Sequence, residues 1–81
     1  MTVYAIFKDG DRCPTPLKFK ISEGGEEKTV DVGKVLNVQQ LGAGGMSRFE
    51  YTCESPGTRG LIRYKLNYYY TKGSWSFERT V

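Results

Sequence analysis

The stretch Ile62-Arg63-Tyr64-Lys65-Leu66-Asn67-Tyr68-Tyr69-Tyr70, followed by Thr71-Lys72-Gly73 and then Ser74-Trp75-Ser76-Phe77, decides the fold class. Bulky apolar side chains fall at 62, 64, 66, 68 and 70, with charged or polar residues between most of them. Successive side chains of an extended strand point to opposite faces, so this period of two makes a half-buried strand. Lys72-Gly73 then supplies a turn that returns the chain as a second strand. An amphipathic helix would repeat its apolar residues at intervals of three and four, and this stretch does not.

The same alternation runs through Leu17, Phe19 and Ile21, and turn signals recur at short intervals. They fall at Asp9-Gly10, Gly24-Gly25, Gly42-Ala43-Gly44-Gly45, Pro56-Gly57 and Lys72-Gly73, dividing the 81 residues into six strand-length segments. The one competing helix is Lys34 to Leu41, where Val35, Val38 and Leu41 have helical spacing and Gly42 could end the element. The expected architecture is a single all-β domain over residues 1–81, a six-stranded antiparallel meander. It either closes into a small SH3-like or up-and-down barrel or stays a strongly twisted open sheet.

Centring each turn on its glycines gives a register. Gly24-Gly25 sets Phe19 opposite Val30 and Leu17 opposite Val32. Ala43-Gly44 sets Val38 opposite Phe49 and Leu36 opposite Tyr51. Gly57-Thr58, or the loop Pro56 to Arg59, sets Cys53 opposite Ile62, Tyr51 opposite Tyr64 and Phe49 opposite Leu66. Lys72-Gly73 sets Tyr70 opposite Trp75 and Tyr68 opposite Phe77. Each turn places apolar residues across from apolar residues, so together they specify one buried face. In the first hairpin Pro14 and Pro16 cannot donate to a ladder, so the second strand is expected to begin at Leu17, and the inward face of the first strand stays open.

Twelve Lys and Arg against nine Asp and Glu leave a formal charge of +3, mild enough that the placement of the charges matters more than their sum. There is no histidine, which removes the commonest general base and metal ligand, and no enzymatic activity or cofactor is expected. Asp9 and Asp11 flank a turn without the further oxygen ligands of a calcium loop, and the glycines at 42–45 lack the Lys-Ser/Thr of a phosphate cradle. Cys13 and Cys53 have no metal-ligand spacing, so they are expected to be reduced, in a cytoplasmic setting, with Cys53 acting as a small buried hydrophobe. No run approaches the roughly 20 apolar residues that a membrane helix needs, and no membrane association is expected.

Two surfaces are candidates for binding. The outward residues Lys18, Lys20, Arg48, Arg63, Lys65 and Tyr69 could serve a weak, sequence-tolerant contact with single-stranded nucleic acid, with Arg59, Arg63 and Lys65 as its core. The same registers set Lys18 against Asp31 and Lys65 against Glu50, so this face is largely self-neutralised and nucleic acid is the lesser expectation. The inward aromatic ladder is core by default, but Tyr70 and Trp75 lie beside the last turn, where a core thins, and Tyr69 faces out. The leading expectation is a non-enzymatic interaction module that binds a protein or small ligand through Tyr69, Tyr70 and Trp75, with a protein the favoured partner. Exposed strand edges offer a further route to self-association, with Pro14-Thr15-Pro16 blocking one of them.

Overall fold

The computed structural model describes all residues except Asp9, Asp11, Arg12, Thr58 and Val81, and for Glu23 the backbone alone. The sequence expectations for Asp9, Asp11 and Thr58 therefore lie outside the described residues. The chain runs β1 (Thr2–Ile6), β2 (Thr15–Glu23), β3 (Glu26–Asp31), β4 (Lys34–Leu41), β5 (Arg48–Gly57), β6 (Gly60–Tyr69) and β7 (Ser74–Arg79), with a short 3₁₀ turn at Gly44–Met46.

The all-β antiparallel reading holds, with seven strands rather than six, and they form two sheets in the orders β1-β2-β3 and β4-β5-β6-β7. The extra break falls at Val32-Gly33, where the chain leaves one sheet for the other. Gly33 is required there because a Cβ would lie 2.9 Å from the Glu54 carbonyl oxygen. A lone glycine carries no turn signature in the sequence, which is why the break is invisible without the fold. Among the described residues β1 pairs only with β2 and β7 only with β6, so no barrel closes.

The first hairpin is settled differently from expectation. Strand β2 begins at Thr15 and includes Pro16, which sits opposite Ala5 where the register shifts between Tyr4 and Ala5. An irregularity is where a strand can accept a residue with no N–H. Val3 and Ala5 take the inward side, while Tyr4 and Ile6 are exposed.

The β2–β3 register is the expected one, Phe19 on Val30, and the Val32 N–H reaches the Leu17 carbonyl at 2.9 Å. The other three are displaced by two residues, in β4–β5 over residues 37–41 only, since Lys34 and Val35 are displaced by one and Leu36, expected opposite Tyr51, has no direct partner. Val38 meets Tyr51, Tyr51 meets Leu66, Cys53 meets Tyr64, and Tyr68 meets Trp75. A slip of two keeps every side chain on its face, so hydrophobic pattern cannot distinguish these registers and the turns decide. Gly57 closes on Gly60, and a four-residue turn leads from Tyr69 to Ser74, with the Tyr69 carbonyl accepting from the Gly73 N–H at 2.8 Å.

The helical spacing within Lys34–Leu41 also has its explanation. The register between β4 and β5 shifts between Val35 and Asn37, so Leu36 is an inserted residue and Val35 and Val38 both come to the inner face three positions apart.

The core is aromatic. Phe19, Tyr51, Cys53, Tyr64 and Leu66 are fully buried, and the Phe19 ring spans the sheets to lie 5.3 Å from Tyr64 and 5.4 Å from Phe77. Two buried hydroxyls join the sheets, those of Tyr51 and Ser55. Tyr51 donates to the Pro14 carbonyl at 2.5 Å and accepts from the Cys13 thiol at 3.3 Å. Tyr64 lies 2.5 Å from the Ser55 hydroxyl, which donates its one proton to the Asp31 carbonyl at 2.7 Å and therefore accepts from Tyr64. The Gly33 N–H approaches the same oxygen at 3.3 Å, completing its valence at the corner between the sheets.

Candidate functional site

The side of the molecule away from the Tyr51 clasp is open. Strand β4 pairs with β5 only as far as Glu54, and β7 pairs with β6 only as far as Tyr64. The hairpin formed by Ser55–Gly57 and Gly60–Arg63 therefore projects beyond the pairing of both neighbouring strands, anchored at its base by the Ser55 hydroxyl on Asp31 and Gly33. Leu61 and Ile62 on this arm are 67% and 47% exposed, although consecutive side chains of a strand point to opposite faces.

Facing the arm across a gap are Lys28, Thr29 and Val30 of β3, and the floor between them is Phe19, Tyr64 and Phe77. The resulting cleft has a volume of about 1110 Å³, with Ile21, Pro56, Leu61 and Ile62 adding apolar wall and Lys28, Arg63, Arg79 and Glu54 at the rim. A shallower depression of about 460 Å³ continues it past Phe77 to Met1, Thr2 and Lys20. Burial holds the floor neutral: the Tyr64 phenol is pushed up by desolvation, with the Ser55 hydrogen bond opposing, and the adjacent Cys53 thiol is pushed up to about 11 by burial. Tyr51 is raised further still by burial and by its bond to Cys13.

The residues singled out from sequence lie elsewhere, apart from Arg63. Tyr69 is half-buried on the outer face opposite Ser74. Tyr70 packs on Phe49 at 5.0 Å, and its oxygen accepts from the Gln40 amide at 3.1 Å. Trp75 is in ring contact with Tyr68 at 4.7 Å and stacks on Tyr51 at 5.7 Å. Tyr70 and Trp75 thus share the inner side of the second sheet while Tyr69 occupies the other.

Arg59 is exposed in the turn between β5 and β6. Arg63 pairs with Glu54 at 3.0 Å and Lys65 with Glu50 at 3.4 Å, while Arg48 donates to Asn67 at 3.1 Å. The Lys18–Asp31 rung is as expected, whereas Lys65 reaches Glu50 from a diagonal position, because Thr52 is its direct opposite.

The cleft itself was missed. Its only trace in the sequence is Leu61-Ile62, two large apolar neighbours directly after a turn, of which a single buried face can take one. Among the described residues no group of three or more His, Cys, Asp or Glu is placed to hold a metal ion, and no helix is long and apolar enough to cross a membrane. No protein-family model matches this chain, and no curated protein or solved structure matches it significantly.

Proposed function

We propose that this domain is a non-enzymatic interaction module whose binding surface is the cleft between β3 and the projecting β5–β6 hairpin. The observation that carries the reading is the exposure of Leu61 and Ile62 on the wall of a cleft whose base is sealed by the buried Phe19 and Tyr64 and the half-buried Phe77. Contiguous apolar surface of this kind is costly to leave in water and marks contact sites. At about 1110 Å³ the cleft exceeds the roughly 300–1,000 Å³ of ligand pockets, and it is open to solvent. Those dimensions suit a short extended segment of a protein better than an enclosed small molecule.

The carboxylates beside Arg63 and Lys65 weigh against a phosphate-tracking face, which leaves single-stranded nucleic acid as the weaker alternative. Free thiols at Cys13 and Cys53 support a reducing, cytoplasmic setting.

The test is shift mapping by heteronuclear NMR against a library of short peptides and apolar fragments. Binders should perturb the amides of Val30, Leu61, Ile62 and Phe77 together, and Leu61→Lys should abolish the effect. Binders that perturb only Tyr69, Tyr70 and Trp75 would move the site to the aromatic turn, and a library without binders would overturn the reading.

A further inference from the structure

Strand β4 was expected in the middle of a meander, but it is the outer strand of its sheet, with no strand on its far side among the described residues. Its residues Val35-Leu36-Asn37-Val38-Gln39-Gln40-Leu41 contain no charge, proline or glycine, and Leu36 and Val38 are each 43% exposed. Edge strands of monomeric proteins are ordinarily blunted by charge, proline or a bulge, because a bare row of N–H and C=O groups recruits another strand, and past the bulge at Leu36 residues 37–41 carry none of these. The other edges are β3, which carries Glu26, Glu27, Lys28 and Asp31, β7, which carries Glu78 and Arg79, and β1, which is only five residues long. Residues 35–41 of β4 are thus the longest uncharged run on any edge among the described residues.

The backbone phase shows how that edge would be used. Polar groups alternate between the two edges along a strand, and the two hairpins that close at Gly57–Gly60 and Tyr69–Ser74 fix which rungs bond to which neighbour. Counting across the ladders, Asn37 and Gln39 bond inward to β5, whereas Val38 and Gln40 aim their N–H and C=O groups at the open edge.

We propose that β4 pairs antiparallel with β4 of a second copy about a two-fold axis through Val38, joining two four-stranded sheets into one. In this register Val38 faces Val38, exchanging reciprocal hydrogen bonds, and the regular ladder ends at Leu36 and Gln40, because the bulge at Leu36 puts Val35 and Leu41 on opposite faces. Asn37 meets Gln39, and two amides supply each other's donor and acceptor. No like charges come into opposition, a condition that β3, with net charge −2 from three carboxylates and one ammonium, does not meet for a copy of itself. A strand-to-strand contact buries far less than the about 800 Å² per partner of a standard stable interface. The dimer is therefore weak and forms at high protein concentration.

Sedimentation velocity on the whole chain, from micromolar to millimolar, tests this. Concentration-dependent dimerisation is expected. Val38→Lys, which sets two ammonium groups against each other on the axis, should weaken it by about tenfold or more. An equimolar mixture of Val38→Lys and Val38→Glu should restore association, and Leu61→Lys in the cleft should leave it unchanged. Amide hydrogen exchange gives a readout without substitution: Val38 and Gln40 should become protected as concentration rises. A monomer at millimolar concentration, self-association that Val38→Lys does not alter, or exchange at Val38 independent of concentration would each overturn the proposal.

Discussion

The hydroxyls of Ser55 and Tyr64 lie 2.5 Å apart at the corner where the two sheets meet, and Ser55 is the group on which the corner turns. Its single oxygen serves Tyr64, the Asp31 carbonyl and the Gly33 N–H. The two members of the pair are consequently unequal. Tyr64→Phe removes one donor and leaves Ser55 its other bonds, and should cost about 1 kcal/mol. Ser55→Ala strands a buried phenol together with its backbone partners, and should cost about 2–3 kcal/mol. Urea unfolding of the two variants checks the order.

The buried acids make the fold sensitive to alkali. Tyr51, Tyr64 and Cys53 all hold their protons more tightly when folded than their ordinary values of 10.0 and 9.0 imply. Above those ordinary values the unfolded chain has released protons that the folded chain keeps, so stability falls as pH rises. Stability should decline from about pH 9 upward. Tyr51→Phe should lower the stability at neutral pH and make the decline shallower. Tyrosinate absorbance should show that these phenols ionise only with unfolding.

Two glycines with left-handed backbone separate strain from collision. Gly24 has φ +60° and open space around its Cβ position, so Gly24→Ala should cost about 1 kcal/mol. At Gly42, with φ +82°, a Cβ would lie 2.3 Å from the Met46 carbonyl oxygen. Gly42→Ala must also displace the 3₁₀ turn, and should cost more than Gly24→Ala by about 1 kcal/mol or more in thermal unfolding.

Phe19 is the one ring of the first sheet buried completely against rings of the second. Phe19→Ala should cost about 3–5 kcal/mol. That is a large share of the roughly 5–15 kcal/mol available to a domain of this kind. Calorimetry should show the transition broadened and shifted strongly downward, with Trp75 fluorescence moving toward that of an exposed indole.

The strand-forming segments and the identity of the inner face were legible because alternation is local: Phe19, Tyr51, Cys53, Tyr64 and Leu66 are buried, and each was placed inward by its parity. What decides register is turn geometry, and Gly57–Gly60 and Tyr69–Ser74 differ from the glycine-centred turns by two residues that leave parity untouched. The bulge at Leu36 and the break at Gly33 were hidden for a different reason. Both answer to contacts with β5, at Thr52–Cys53 and at Glu54–Ser55, which no local pattern encodes. The cleft follows from that break, since two sheets rather than one leave the β5–β6 hairpin uncovered. The Tyr51 hydroxyl is buried in a bond to Pro14 across the sheets, and that of Tyr64 is buried on Ser55 at their corner, partners that parity alone does not name.

The separation of the two sheets is the central claim, because a pairing of β1 with β7 would close the structure and fill the depression between Thr2 and Arg79 that continues the cleft. The measurement is the set of nuclear Overhauser contacts in solution. Contacts should link the Phe19 ring to Tyr64 and Phe77, with no cross-strand Hα pairs between Thr2–Ile6 and Ser74–Arg79. Hα pairs between those two strands, with Leu61 and Ile62 in contact with β3, would contradict it.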